Sequence, residues 1–545
     1  MPPFEGAGPA DGVRVPRWGM VMDLNRCIGC QTCTVACKHT NDTPPGVQWR
    51  QVLDVELGRF PDVERVFLPV GCQHCDNPPC VPVCPTGATY RRPDGIVAVD
   101  YDWCIGCGAC AVACPYQARH LVHHRARYFR DRDTVQEQAA AHDERLGVIQ
   151  KCTFCTPKLE AGQARGLKPG RDAEATPSCA SACIAQAISF GDFNDPADPV
   201  MTLLNGRPSF AMHEELGTKP MIRYLYETPG VPGREAEPAD AADDRLTDLE
   251  NPLVGRLQRR WDARAATNFI CGGLSSGMAV AAYLAVVSGA VPAQLLPSIY
   301  VAAGAIMAAG LFSVFLEIGR KLRFAYVLRR PRSSWMTREV YVVAVLFPAI
   351  AADLLWPGPA LHAVAALAAL AFLYCQARIL HASKGIPAWR VTLMPWMLVA
   401  TGLFEGLGAL LLALTMAGAA VAPALAAPVI ALGLINAALW RAYRAGARAA
   451  ALPPLARREI ERVTPWVHVL GHGLPVVGAI AAVAAPGSTP AAWLLAGLGA
   501  AGGGALWKYW VIVRASYQQG FALPRLPQRG SGQRSAWAAA PASGA

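Results

Sequence analysis

Hydrophobic positions divide this chain of 545 residues into two parts of different character. After residue 265 they form long apolar stretches, each close to the roughly 20 residues that cross a bilayer as a helix. The stretches cover 267–289, 296–318, 339–356, 360–380, 392–415, 422–440, 465–485 and 490–513. A single buried core cannot explain eight runs of this length. The pattern predicts an all-α polytopic membrane domain of eight transmembrane helices.

Cysteines dominate the other part of the chain. Sixteen of the eighteen lie in four groups of four, and two groups read C-x2-C-x2-C-x3-C. With this spacing a short loop holds one [4Fe–4S] cluster through three thiolates, and the fourth thiolate binds the neighbouring cluster. Sixteen thiolates predict four [4Fe–4S] clusters. The expected ligands, group by group, are Cys27, Cys30, Cys33, Cys37; Cys72, Cys75, Cys80, Cys84; Cys104, Cys107, Cys110, Cys114; and Cys152, Cys155, Cys179, Cys183.

Two other uses of cysteine fit this pattern less well. Disulfide scaffolds are typical of small secreted domains, and the first twenty residues lack the basic start and apolar run of a secretory signal. Zinc sites also use C-x2-C pairs, but a zinc ribbon separates two such pairs by a longer loop. Here three cysteines lie within seven residues, from Cys27 to Cys33. Iron–sulfur ligation is therefore the prediction.

Short elements surround the cysteine loops. Strands are predicted before three of the loops, at 19–24, 66–70 and 96–100, and short helical pieces after two of them, at 111–115 and 180–187. A repeated strand, cluster loop and helical turn is typical of a tandem ferredoxin. The fold class predicted for this part is an α+β tandem ferredoxin-like iron–sulfur domain.

The cysteine runs also carry a family resemblance. CIGCQTCTVACK, CQHCDNPPCVPVCPTGA, CIGCGACAVACPY and KCTFC…CASACIAQAISFGD resemble the four-cluster electron-transfer subunit of the DMSO reductase (molybdopterin oxidoreductase) family. The resemblance implies that the first and fourth groups share two clusters, with Cys37 and Cys183 exchanged between them. It implies the same exchange of Cys84 and Cys114 between the second and third groups.

The membrane part carries a second resemblance. Residues 315–341, FLEIGRKLRFAYVLRRPRSSWMTREVY, resemble a segment of the eight-helix, quinol-reactive anchor subunits of DMSO reductase-like complexes. Those anchors often carry a His in the segment matched by 316–319, where this chain has Glu317. The resemblance implies an anchor fused to its iron–sulfur partner, with ubiquinone or menaquinone as the diffusible electron partner.

Ionisable groups within a membrane are costly and are functional candidates by default. Quinone chemistry moves protons together with electrons, so a quinone site needs groups that titrate or donate hydrogen bonds. The candidates, all at helix ends expected on one membrane face, are Glu317, Glu339, His381, His468 and His472. Glu339 is equally compatible with an interfacial pair with Arg338. His468 and His472 share one helix face and cannot be the two axial ligands of one haem, so no haem is expected.

Positive charge predicts the orientation of the membrane domain. Lys and Arg fill the connections on the side of the N-terminal domain, whereas the opposite connections, near 290–295, 353–361, 416–421 and 486–490, have none. Cytoplasmic loops carry this excess of positive charge. The iron–sulfur domain is therefore predicted on the cytoplasmic side of the inner membrane. This placement accounts for the net charge of +10 without a nucleic-acid partner.

Composition marks the predicted domain boundaries. Residues 231–264 are acidic, contain proline and are poor in aromatics, as solvated linkers are. The predicted organisation is an N-terminal tail at 1–17, a four-cluster ferredoxin-like domain at 18–230, a linker at 231–264, an eight-helix membrane anchor domain at 265–515 and a cytoplasmic tail at 516–545.

These observations predict an electron-transfer and membrane-anchor subunit of a quinone-linked molybdopterin oxidoreductase. Nothing in the chain resembles a molybdopterin-binding domain, so the substrate site is expected on a separate molybdopterin catalytic subunit. Sulfite oxidation, acyl-CoA oxidation and DMSO reductase-like reactions are the analogies. The alternative is a redox-regulated membrane transporter or ion pump. Paired charges or broken helices at mid-membrane would favour it, and Glu405 is the only such feature apparent in the sequence.

Overall fold

The computed structural model describes residues 15–59, 62–129, 131–226, 247–449, 452–485 and 489–521. The chain forms two compact units. The first unit contains the residues up to Arg256 and those from Gln518 onward, and the second runs from Leu257 to Tyr517.

The described residues of the first unit form ten strands, and four of them make up its main sheet in the order β8-β1-β10-β9. β1 pairs parallel with β10 and antiparallel with β8. The remaining strands form the hairpin pairs β2-β3, β4-β5 and β6-β7. The bounds are β1 Trp18–Asp23, β2 Arg50–Arg59, β3 Asp62–Gly71, β4 Thr89–Arg91, β5 Val97–Val99, β6 His120–Leu121, β7 Ile149–Gln150, β8 Ile188–Asp192, β9 Ser209–Phe210 and β10 Ile222–Leu225.

The central strand β1 is covered on both faces, and all six of its residues are buried. Met20 and Met22 point into a core that also contains cysteines of the first and fourth groups. Val21, on the opposite face, packs with Val200. The helices of this unit are short and mostly follow cysteine loops; they are α1 Thr32–Thr40, α2 Ala109–Val112, α3 Val135–Ala139, α4 Thr156–Ala164, α5 Ser178–Ser181 and α6 Pro199–Gly206.

The predicted strands agree with these bounds, whereas the two predicted helical pieces agree only in part. The strands predicted at 19–24, 66–70 and 96–100 correspond to β1, β3 and β5, and the piece at 111–115 shares only residues 111 and 112 with α2. The helix predicted at 180–187 is wrong over most of its length. α5 ends at Ser181 because the chain turns there, and Gln186 takes a positive φ of 48° before β8.

Long helices form the second unit. Their bounds are α7 Ala263–Val287, α8 Leu296–Glu317, α9 Trp335–Leu355, α10 Pro359–Ala382, α11 Met394–Met416, α12 Ala426–Ala449, α13 Pro454–Trp466, α14 Leu474–Ala484 and α15 Thr489–Tyr509. A π-helical segment, Val467–Gly473, joins α13 to α14, and a second, Trp510–Arg514, continues α15. Within the described residues, six helices are long and apolar enough to cross a membrane.

The helix bounds refine the predicted stretches. The break expected between the fifth and sixth stretches lies between Met416 and Ala426, where Gly418 has a φ of +68°. The seventh stretch begins earlier than predicted, since α13 starts at Pro454. Two of the eight predicted spans, α9 and α15, are not among the six candidates, and α9 carries Arg338, Glu339 and Asp353.

The segment predicted as a linker at 231–264 is described from residue 247. Residues 247–250 are exposed, and buried residues begin at Leu253. Leu253 is buried, and its carbonyl accepts a hydrogen bond from the amide of Phe521 at 3.1 Å. The Gln258 side chain donates to the carbonyls of Trp261 at 2.7 Å and Ile512 at 3.1 Å. The first unit ends at Arg256, inside the predicted linker, and the second unit begins at Leu257.

Both predicted tails include residues that are packed in the structure. The Arg17 amide, in the predicted 1–17 tail, donates to Asp192 at 2.6 Å. Ser516, in the predicted 516–545 tail, is fully buried. Residues 1–14, 231–246 and 522–545 lie outside the described residues.

Glycines allow α7 and α11 to pack with their backbones in close contact. A Cβ atom on Gly277 would lie 1.9 Å from the carbonyl oxygen of Gly402, and one on Gly406 would lie 2.0 Å from the carbonyl carbon of Gly277. Small residues of this kind are typical of helix interfaces in membranes.

We expect Gly406→Ala to destabilise the protein by about 1–3 kcal/mol, because the added methyl group must push α7 and α11 apart. Gly502→Ala is the matched control, since a Cβ there meets nothing within 4 Å and alanine favours the helix. Thermal unfolding of the two variants in detergent measures the difference. Equal melting temperatures would contradict the close packing.

Candidate iron–sulfur sites and membrane groups

Two of the cysteine loops depend on glycines in the left-handed region. Gly29 and Gly106, each two residues after the first cysteine of a C-x2-C-x2-C-x3-C motif, both have a φ of 71°. Such a conformation strains residues that carry a side chain. A Cβ on Gly29 would also lie 2.4 Å from the ring of Phe67. The loops can therefore turn tightly, which keeps successive cysteines close together.

The thiols gather into four sets. Set 1 contains Cys27, Cys30, Cys33 and Cys183. Burial raises the pKa of Cys27, and the charges of Cys183 and Cys30 raise it further. The thiol of Cys33 interacts with Cys27 and Cys183 in the same way. The amide of Ala187 donates to the Cys183 sulfur at 3.3 Å.

Set 2 contains Cys37, Cys152, Cys155 and Cys179. Burial raises the pKa of Cys37, and the negative charges of Cys152, Cys179 and Cys155 raise it further. The side-chain amide of Asn41 donates to the Cys155 sulfur at 3.5 Å. One thiol of this set comes from the first cysteine group and three come from the fourth.

Set 3 contains Cys72, Cys75, Cys80 and Cys114. Burial raises the pKa of Cys75, and the other three thiols of the set raise it further. Burial is also the largest cause of the raised pKa of Tyr116, and the charge of Cys75 raises that pKa further. The set is thus enclosed in a region with little water.

Set 4 contains Cys84, Cys104, Cys107 and Cys110. Burial raises the pKa of Cys107, and Cys110, Cys84 and Cys104 raise it further. Burial also raises the pKa of Cys104 to about 12. The amide of Ile149 donates to the Cys104 sulfur at 3.5 Å. In sets 3 and 4, as in sets 1 and 2, three thiols come from one cysteine group and the fourth comes from another.

Three buried cations accompany the sets. Arg50 and Lys151 are each 1% exposed and Arg119 is 5% exposed. Arg119 donates to the Cys80 sulfur at 2.9 Å. Buried cations beside buried thiols match the chemistry of [4Fe–4S] clusters, whose thiolate ligands carry negative charge. Within the described residues, no three His, Cys, Asp or Glu side chains converge to hold a single metal ion.

Comparisons with known proteins agree with this donor set. Two families, each described as a 4Fe-4S dicluster domain, match residues 63–130 and 23–88. A selenate reductase subunit of Mesobacillus selenatarsenatis is 39% identical over 221 residues, which are 38% of this chain and 72% of that protein. A sulfite dehydrogenase subunit of Allochromatium vinosum is 36% identical over 249 residues, 43% of this chain and 90% of that protein.

A third relative is the iron-sulfur cluster-binding subunit of menaquinone reductase from Nitratidesulfovibrio vulgaris. It is 36% identical over 226 residues, 38% of this chain and 88% of that protein. Together with the fold, these matches define an iron–sulfur electron-transport protein of the [4Fe–4S] class. The chain belongs to the DMSO reductase (molybdopterin oxidoreductase) family of electron-transfer subunits.

The two candidate carboxylates of the second unit lie against different helices. Glu317 is buried at the C-terminal end of α8, near the charged side chains of Asp262 and Arg264 at the start of α7. Glu339 is buried in the first turns of α9 and is hydrogen-bonded to the side chain of Gln376 on α10. The two carboxylates therefore lie near different polar side chains.

The three candidate histidines occupy two further places. His381 lies half-buried in the last turn of α10. His468 and His472 lie in the π-helical segment 467–473, with their Nδ1 atoms 3.2 Å apart. The charges of Arg444 and Arg441 lie near His468. The five candidates are thus spread over α8, α9, α10 and this π-helical segment.

Glu405, in the middle of α11, forms an ion pair with Lys508 of α15, and both side chains are fully buried. The Lys508 ammonium also donates to the carbonyl of Phe269 on α7 at 3.1 Å. The expectation that the membrane domain lacks paired charges is wrong, since Glu405 pairs with Lys508. Lys508 was missed because nothing in the sequence brings it next to a residue 103 positions away.

A second acid–base pair was also missed. Asp353 at the end of α9 is fully buried, and its Oδ1 lies 3.1 Å from Nε2 of His362 on α10. The Tyr300 hydroxyl of α8 donates to the His362 carbonyl at 2.8 Å. The sequence signal was available, because an Asp and a His flank the short turn between two apolar stretches.

We expect Lys508→Met to destabilise the protein by about 3–5 kcal/mol, because it leaves the buried Glu405 carboxylate without its partner. The double variant Glu405→Gln/Lys508→Met should recover most of this loss. Thermal unfolding in detergent measures the stability of the single and the double variant. Arg448→Met is the matched control, since Arg448 pairs with Glu461 at an exposed site where such pairs contribute less than about 1 kcal/mol. The pairing would be contradicted if the losses of stability in Glu405→Gln and Lys508→Met simply added up in the double variant.

Proposed function

We propose that this chain is the electron-transfer and membrane-anchor subunit of a quinone-linked molybdopterin oxidoreductase. The observation that carries the proposal is that one chain combines sixteen cysteines grouped in sets with apolar helices long enough to span a bilayer. A family electron-transfer subunit with such helices can exchange electrons with a carrier dissolved in the membrane. The substrate site then belongs to a separate molybdopterin catalytic subunit.

In this proposal, each thiol set holds one [4Fe–4S] cluster, which gives four clusters. A bound [4Fe–4S] cluster accepts and releases single electrons. The residues of the chain hold the thiolates in place and exclude water, since most of the cysteines are buried. Amide groups such as those of Ile149 and Ala187 donate hydrogen bonds to sulfur.

We place the quinone site among the buried carboxylates of the second unit, with Glu317 as the first choice. Quinone reduction takes up two protons with two electrons, and a buried carboxylate can exchange a proton with the quinone oxygen. Glu339, His381, His468 and His472 remain candidates for the same role. Ubiquinone and menaquinone both fit this chemistry, and a relative is named a menaquinone reductase subunit.

The charge pattern supports an orientation with the iron–sulfur unit in the cytoplasm and eight helices through the inner membrane. Lys and Arg occupy the connections expected on the same side as that unit, such as the segment Lys321–Arg329, as the positive-inside rule requires of cytoplasmic loops. A cytoplasmic catalytic partner follows. Relatives are named selenate reductase and sulfite dehydrogenase subunits, and sulfite or acyl-CoA oxidation remains the favoured reaction class.

We expect a reduced quinol analogue to bleach the visible iron–sulfur absorption of the purified complex. Glu317→Gln should slow this reduction at least tenfold, because the neutral amide cannot accept the quinol proton. Stopped-flow absorption measures the rate, and iron and sulfide analysis checks that the cluster content is unchanged.

Glu461→Gln is the matched control for this experiment, because Glu461 is an exposed glutamate on α13. It should leave the rate of reduction unchanged. Clusters that stay oxidised in active wild-type complex would exclude the quinone function. An unchanged rate in Glu317→Gln would instead remove only Glu317 from the site.

A second candidate function is redox-linked ion translocation. The buried Lys508–Glu405 pair favours it, because ionisable groups within transmembrane helices often mark proton relays. In proteoliposomes containing the complex, turnover would then move protons across the membrane in addition to those exchanged by substrate and quinone.

For a pump, we expect Glu405→Gln to abolish the additional proton movement while electron transfer continues. An internal pH dye measures the protons per electron, with Glu461→Gln as control. A wild-type ratio accounted for by substrate and quinone chemistry alone would exclude this second candidate.

A further inference from the structure

The three buried cations of the first unit have no carboxylate among the hydrogen-bond partners that the described residues provide. The Arg50 guanidinium approaches the sulfur atoms of Met20 at 3.4 Å and Met22 at 3.9 Å, and its Nε has no partner. The Lys151 ammonium donates to a backbone carbonyl at 2.5 Å. A buried charge without an opposite charge is strongly destabilising. Thiolates that bind clusters would supply the opposite charge for these three cations.

Arg50 acts on sets 1 and 2. Met20 and Met22, which the Arg50 guanidinium contacts, lie in one buried core with Cys33 of set 1 and Cys179 of set 2. The Arg50 side chain is also hydrogen-bonded to the Cys179 thiol. One guanidinium therefore lies close to both sets that the first and fourth cysteine groups form.

Arg119 lies close to thiols of sets 3 and 4, as Arg50 does to thiols of sets 1 and 2. It donates to the Cys80 sulfur of set 3 at 2.9 Å and to the Thr89 hydroxyl at 3.1 Å. The Arg119 side chain is also hydrogen-bonded to the Cys110 thiol of set 4.

Reduction of a [4Fe–4S] cluster adds one negative charge to the protein interior. A fixed cation nearby favours the reduced state, and the effect is large where burial keeps the effective dielectric constant low. Net charge and hydrogen bonds to the sulfurs are among the factors that set cluster potentials. An arginine shared by two clusters therefore raises both potentials together.

We propose that Arg50 and Arg119 divide the electron path into two electrostatic pairs, with Arg50 setting the reduction potentials of the clusters in sets 1 and 2 and Arg119 those in sets 3 and 4. The proposal rests on the proposed function, because it assumes one cluster in each set. Both arginines are positioning residues, since neither ligates iron.

The test is a redox titration of the purified complex followed by electron paramagnetic resonance. Arg50→Gln should shift two of the four midpoint potentials to more negative values and leave the other two unchanged. Arg119→Gln should shift the complementary two. Arg50→Lys and Arg119→Lys, which keep the charge, should restore most of each shift. Arg65→Gln is the matched control, because Arg65 is an exposed arginine of the same unit.

The outcomes separate this inference from the proposed function. Unshifted potentials in glutamine variants that retain their clusters would overturn the inference, as would shifts of all four clusters by either variant. Fewer than four clusters in wild type would instead overturn the ligand assignment. If Arg50→Gln loses its clusters, Lys151→Met tests the charge effect instead, because the buried Lys151 ammonium lies beside Cys152 of set 2 and donates to its carbonyl. It should shift the set 2 potential alone, and no shift would overturn the charge effect.

Discussion

Both units bury cationic side chains where water is excluded. In the first unit, Arg50, Lys151 and Arg119 are buried beside thiols rather than beside carboxylates. In the second unit, Lys508 meets Glu405 between apolar helices. Removing one member of such a pair leaves an uncompensated charge and costs several kcal/mol. Function and stability are therefore linked in this protein, because the groups that suit electron or proton transfer are also those that require a partner.

Close packing allows these side chains to contact one another. In the second unit, a Cβ on Gly273 would lie 2.1 Å from the Lys508 ammonium and 2.3 Å from the Glu405 carboxylate, so only glycine leaves room for the pair. In the first unit, the left-handed loop glycines allow several thiols to turn toward one point. Small residues thus serve in both units to bring charged or metal-binding groups together.

Much of the architecture could be predicted from the sequence, since it depends on local runs of residues. The strands before the cysteine loops and the long apolar helices were found because each is encoded within one short stretch. The predictions failed where chain turns or distant contacts decide the outcome. α5 ends at Ser181 and not at 187 because the chain turns toward β8. The last part of the predicted linker is packed, since Gln258 is buried and bonds to Ile512, which follows it by 254 positions.

The sequence alone determined the chemistry of the donors and the membrane character of the second half, because thiol spacing and hydropathy are properties of continuous stretches. Only the tertiary structure decided which thiols share a set and which charges meet. Cys37 joins Cys152, Cys155 and Cys179 across more than a hundred positions, and Lys508 reaches Glu405 from another helix. Such contacts depend on how strands and helices pack, and packing is a property of the whole chain.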